Sequence, residues 1–105
     1  MAREKTWRDL LPISELFKGD VTPVQFGTRE LAIYDTNDGI TVSMARCTHG
    51  AADLCDGYFD GNNIECPLHQ GLFNARTGEA LAAPARVKLR MIEARVQEDT
   101  IQIYL

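Results

Sequence analysis

The chain predicts an all-β sandwich or barrel. Three observations carry that expectation. Runs rich in β-branched and aromatic residues are short, turn sequences recur every eight to twelve residues or so, and no helical periodicity lasts beyond about one turn. At 105 residues the chain is expected to be one domain, residues 1–105, folding around a modest core without disulfides. A content of 45% hydrophobic and 25% charged residues is that of a soluble globular protein. No apolar run approaches the roughly 20 residues needed to span a bilayer. The opening MAREKTWRDLLP has no long apolar stretch of the kind that marks a secretory signal, so a cytoplasmic location is expected. The formal charge of −4 argues against a nucleic-acid or membrane partner and suits docking onto basic patches of other proteins.

The elements follow in order. Thr6 to Leu11 reads as a first strand, interrupted by Pro12, and Trp7 within it as a core aromatic. Ser14 to Phe17 is long enough for one helical turn with Ser14 as its cap, ended by Gly19-Asp20. Val21–Phe26 and Leu31–Tyr34 form a hairpin about Gly27-Thr28-Arg29. Asn37-Asp38-Gly39 is a tight-turn signal that leads into the alternating strand Ile40–Met44. Further on, Asp56-Gly57 and Asp60-Gly61-Asn62 flank Tyr58-Phe59, Ile64-Glu65 is a very short strand, and Arg76–Glu79 is a turn. Ala82–Ala85 is a small apolar loop restricted by Pro84. Val87–Val96 and Thr100–Leu105 make a last hairpin about residues 97–99.

One stretch, Cys47 to His69, holds all three cysteines and both histidines of the chain. Two metal-ligand pairs lie in it, Cys47-Thr48-His49 and Cys66-Pro67-Leu68-His69, separated by the sixteen residues from Gly50 to Glu65. Each pair mixes one thiolate with one imidazole, whereas structural zinc sites usually group like with like. The mixed arrangement suits a two-iron cluster with unlike irons, because two converging loops can give both cysteines to one iron and both histidines to the other.

CTHG followed by CPLHQGLFN resembles the cluster-binding segment of Rieske ferredoxins, the small electron carriers of bacterial aromatic-ring-hydroxylating dioxygenase systems. The resemblance covers nearly the whole chain. It implies a β base carrying a small cluster-binding subdomain, about residues 46–85, made of two loops. It further implies one [2Fe–2S] cluster ligated by Cys47, His49, Cys66 and His69, with residues 82–85 as a proline loop covering it. The partners it implies are a flavin-dependent, NAD(P)H-oxidising ferredoxin reductase as donor and a terminal Rieske non-haem iron oxygenase as acceptor. A complete oxygenase would need further histidines and a complete reductase a nucleotide fingerprint, and the chain has neither. The expected role is therefore a one-electron shuttle, not an enzyme.

High-potential members of the resembled family place a hydroxyl-bearing serine and tyrosine shortly after the last histidine; here Gly71 and Phe73 occupy the matching positions. Fewer donors to the cluster imply the low end of the Rieske range, near about −150 mV. Those members also bridge their two loops with a disulfide, a role that Leu68 in the second pair and the distant Cys55 do not fill. Cys55 reads as a plain loop residue, and Gly50, Gly57 and Gly71 as glycines kept for backbone reasons. The acidic set Asp53, Asp56, Asp60 and Glu65 reads as a solvated surface, with a docking role as the other reading. Two further functional readings stay open: the small subunit of an assimilatory nitrite reductase, and a zinc-stabilised β interaction module, with Cys55 recruited to a Cys₃His set in one variant.

Overall fold

The structure is a computed structural model and describes residues 4–48, 52–68 and 70–105. His49 and His69 lie outside the described residues. Eleven strands among the described residues form three antiparallel sheets, and none of them closes into a barrel. The outer sheet orders β1 (Trp7–Pro12), β11 (Thr100–Tyr104) and β10 (Ala94–Gln97). The middle sheet orders β2 (Val21–Phe26), β3 (Arg29–Thr36), β4 (Gly39–Met44) and β9 (Met91–Ile92). The third sheet is a meander of β5 (Tyr58–Phe59), β6 (Asn63–Glu65), β7 (Leu72–Asn74) and β8 (Ala80–Ala82). Among the described residues no helix is long and apolar enough to cross a membrane.

The middle sheet is apolar on both faces, which is why Leu31-Ala32-Ile33-Tyr34 reads as an unbroken hydrophobic run rather than an alternation. Leu31, Ile33 and Val42 face the outer sheet and pack on Ile101 and Ile103, forming one core. Ala32 and Tyr34 point the other way, into a second core shared with Leu54, Phe59, Ile64 and Phe73. Successive residues of a strand face opposite ways, so a single strand serves both cores. A register irregularity in β1 between Asp9 and Leu11 turns both Leu10 and Leu11 toward the outer core.

Three local expectations are corrected. The short helical turn is a 3-10 turn over Ile13–Glu15, with Ser14 inside it and no side-chain cap. The reason is that β1 runs on through Pro12, which pairs with Thr100, so the turn starts earlier. Trp7 is half-buried at the molecular surface, outside both cores. Its indole lies 5.3 Å from the Tyr104 ring, with the Arg95 guanidinium 3.9 Å from its centroid, a cation–π arrangement that suits a partly wet site. Finally, Val87–Val96 is not one strand. Residues 87–90 are irregular, β9 pairs with β4 in the middle sheet, and β10 pairs with β11 in the outer one. The chain changes sheets at Glu93, which no one-dimensional pattern announces.

Candidate metal centre

Both cysteine–histidine pairs are built on the same local plan. Beyond β4 the chain pairs with its own return: the Leu54 amide donates to Ala45 O (2.8 Å), and the Cys47 amide to Ala52 O (2.9 Å). An Arg46–Asp53 bridge lies between those two bonds. Cys47 thus closes this pairing, and its partner Ala52 lies five residues on in the sequence. In the third sheet Glu65 pairs with Leu72, and the Cys66 amide then donates to Gly71 O (2.7 Å). Cys66 therefore closes this pairing in the same way, with its partner Gly71 five residues on in the sequence. One histidine falls within each five-residue interval of the sequence, and both lie outside the described residues.

The two loop bases meet. Cys47 and Cys66 are 3% and 0% exposed in the same core, where their side chains interact. The Leu68 amide donates to Cys66 Sγ at 3.4 Å. Burial pushes the Cys66 thiol up to about 11, the Leu68 amide acts in the opposite sense, and the neighbouring Cys47 adds to the rise. All three cysteines are free thiols. Two soft donors, buried side by side and delivered by separate loops, fit an iron ion bound by two thiolates, since a cation there would neutralise the charge that burial disfavours.

Cys55 stands apart from this pair. It lies in a 3-10 turn, Leu54–Asp56, whose first amides are capped by Asp53: Asp53 Oδ1 accepts from the Cys55 amide at 2.8 Å. Partial burial, followed by the Asp53 carboxylate and more distant acids, pushes the Cys55 thiol up to about 12. Among the described residues no three His, Cys, Asp or Glu side chains come together, so Cys55 does not join Cys47 and Cys66 in a Cys₃ set.

Gly71 and Phe73, after the second pair, carry no side-chain hydroxyl. Gly71 is buried and offers its carbonyl to Cys66, and Phe73 is fully buried in the inner core. The small loop at 82–85 closes with an Ala85 amide to Ala82 O bond (3.1 Å), and Ala85 packs into the core that holds the two thiols.

Three contributors escape sequence reasoning. Thr48 reads as a spacer, yet its hydroxyl donates to Val87 O at 2.6 Å and ties the residue after Cys47 to residues 86–90. Asp53 reads as surface charge, yet it organises the return of the first loop. Tyr34 reads as core, and it is fully buried against Phe59; its hydroxyl lies 2.9 Å from Ser43 Oγ, which itself donates to Met44 O. Thus Tyr34 donates to Ser43. Burial raises its pKa far above the ordinary phenol value. Nothing local announces the Thr48 and Tyr34 bonds, whereas an aspartate two residues before the amide it caps is itself a local signal.

Known proteins place this geometry. The model of the Rieske [2Fe–2S] domain matches residues 6–96. The ferredoxin component of a naphthalene 1,2-dioxygenase system from Pseudomonas putida is 37% identical over 99 residues, covering 94% of this chain and 95% of that protein. The anthranilate 1,2-dioxygenase ferredoxin subunit from Burkholderia cepacia is 30% identical, covering 92% and 90%. Among solved structures, the Sphingomonas yanoikuyae B1 ferredoxin superposes with a TM-score of 0.88 at 31% identity, over 95% of this chain and 99% of that one. A ferredoxin solved in complex with the reduced oxygenase of carbazole 1,9a-dioxygenase gives 0.84 at 34% identity, over 93% and 92%. The all-β expectation and the family resemblance are both borne out: the chain belongs to the Rieske [2Fe–2S] domain family, as a small ferredoxin that carries electrons on a [2Fe–2S] cluster.

Proposed function

We propose that Cys47 and Cys66 ligate one iron of the cluster and His49 and His69 the other, within a cluster-binding subdomain of about residues 46–85. The observation that carries this reading is the interaction of two buried thiols, each on a residue whose amide donates to the carbonyl five residues on. The cluster supplies a one-electron store when bound. The protein's own residues hold it: the two hairpin bases fix the sulfurs, the Leu68 amide donates to one of them, and the Ala82–Ala85 loop packs beside them. Electrons arrive from a flavin-dependent NAD(P)H-oxidising reductase and leave to the terminal oxygenase of an aromatic-ring-hydroxylating dioxygenase system, in the cytoplasm. Support for the oxygenase comes from relatives named as ferredoxin components of such systems, and from the likeness to a ferredoxin in complex with an oxygenase. The potential is near the low end of the Rieske range, about −150 mV, because neither Gly71 nor Phe73 offers a side-chain hydrogen bond.

The test is the iron and sulfide content, the visible spectrum and the EPR spectrum of the dithionite-reduced protein, measured on wild type and variants. Wild type and Cys55→Ser should each hold two irons and two sulfides and give a rhombic signal. Cys47→Ser, Cys66→Ser, His49→Ala and His69→Ala should each lose that signal. A Cys55→Ser variant that fails to assemble the cluster, or a His69→Ala variant with an unchanged spectrum, overturns the ligand set. A midpoint above about +100 mV overturns the hydrogen-bond argument for the potential.

A further inference from the structure

The chain's net charge of −4 suits a basic partner, but the segment held against one side of the first ligand loop, residues 86–90, carries charge of the opposite sign. Between Ala85 and Met91 every second residue is a cation, Arg86, Lys88 and Arg90, and all three are exposed. Two bonds hold this segment alongside the end of β4 and the first loop: the Met44 amide donates to Arg90 O (3.0 Å), and Thr48 Oγ1 to Val87 O (2.6 Å). The cations therefore follow the backbone directly up to the residue that precedes His49. Among the described residues the one ion pair within 4 Å is Arg76–Asp38, so none of the three cations is ion-paired there. Arg46 stands apart from them, in a cleft that it shares with Glu30 and Asp53. Apolar surface lies among the same elements: Val87 is 63% exposed between Arg86 and Lys88, and Leu68, in the second loop, is 37% exposed.

An exposed apolar residue rimmed by unpaired cations is a surface for a partner with an apolar centre and a carboxylate rim, since complementary charges steer encounter and fix orientation. We propose that the electron-exchange face of this ferredoxin is locally basic along Arg86, Lys88 and Arg90, and that it docks onto an acidic patch of its redox-partner protein. The proposal rests on the electron-carrier reading given above. It assigns the exposed acids Asp56 and Asp60 to solvation rather than to docking.

The sign of the local field can be read without the partner. The reduced holoprotein is mixed with a trivalent anionic oxidant, trioxalatocobaltate(III), or a trivalent cationic one, hexaamminecobalt(III). Each cobalt takes one electron from one reduced cluster and becomes cobalt(II), and the rate is followed by the visible absorbance of the protein. From about 10 to about 200 mM salt, the anion's rate should fall about threefold or more and the cation's should rise. Arg86→Gln/Lys88→Gln should slow the anion about threefold at low salt, while Lys5→Gln/Arg29→Gln, which removes the same charge beside Arg8 and Leu105, should leave it nearly unchanged. If the anion's rate instead rises with salt, the net charge or the acidic set governs the face and the proposal fails. Equal effects of the two double variants also overturn it. A protein that holds no cluster fails at the earlier reading, and its iron content distinguishes that outcome.

Discussion

Gly57 supports the second ligand loop by the absence of a side chain. Its φ of −86° is open to any residue, so backbone preference does not explain it. The explanation is proximity: a Cβ built on Gly57 would lie 2.0 Å from Glu65 O, 3.1 Å from Glu65 C and 3.2 Å from Leu54 O. All three are backbone atoms, so no flexible side chain can yield. Glu65 precedes Cys66 and pairs with both Tyr58 and Leu72. Gly57→Ala must therefore push β5 away from β6 by over an ångström and strain the base of the loop that carries Cys66. Overpacking of this kind costs about 1–3 kcal/mol, and loosening two ladder hydrogen bonds about 0.5–1.5 each, for a total of about 2–6 kcal/mol. Set against a domain stability of about 5–15 kcal/mol, that is a large fraction. The assay is thermal loss of the visible cluster absorption together with far-ultraviolet circular dichroism, at one scan rate because bleaching is irreversible. The variant should lose at least about 10 °C and hold less iron than wild type. A shift under about 3 °C with full iron content refutes the close-approach argument.

Two further outcomes follow from the same geometry. The Cys55 thiol has an ordinary value of 9.0 and is pushed up to about 12 in the fold, so at pH 8.5 it should react with iodoacetamide far more slowly than an exposed cysteine. Its linkage has one sign: nothing changes below pH 9, whereas from 9 toward 12 the unfolded chain sheds the proton that the fold retains. Wild type should therefore lose stability relative to Cys55→Ala across that window, and a gap that stays constant with pH refutes the assignment. In the β10–β11 hairpin, Glu98 and Asp99 both adopt left-handed backbone, φ 51° and 64°, in a two-residue turn between Gln97 and Thr100. Glu98→Asn/Asp99→Gly should raise stability by about 1 kcal/mol in urea denaturation, since those residues take this geometry with less strain. A loss instead of a gain would show that the turn is not strained.

Much of this molecule is legible from its residues because its signals are local. Asn37-Asp38-Gly39 is a turn between Thr36 and Gly39, and Gly27-Thr28 is one between Phe26 and Arg29, as their types dictate. The two cysteine–histidine pairs are local as well, and the fold brings Cys47 and Cys66 together. What is not legible depends on distant chain. Trp7 looks like core until Arg95 and Tyr104, far along the sequence, are seen to cover its rings at the surface. Val87–Val96 looks like one strand because nothing near Glu93 shows that its two ends belong to different sheets. Thr48 finds its acceptor 39 residues away, and no pattern in a window around the first loop contains that information.

The two-faced middle sheet sets where this sequence is free to drift. Leu31 and Ile33 answer only to the outer sheet, whereas Ala32 and Tyr34 answer only to the thiol-bearing side. Substitutions that repack Ile101 or Ile103 against Leu31 leave the surroundings of Cys47 and Cys66 untouched, so the outer layer can diverge as an independent compartment. A one-residue slip of β3 exchanges the two residue sets and spoils both compartments at once. Selection on such a chain therefore weighs most heavily on the alignment of β3, and lightly on the identity of the aliphatic residues that fill its outer side.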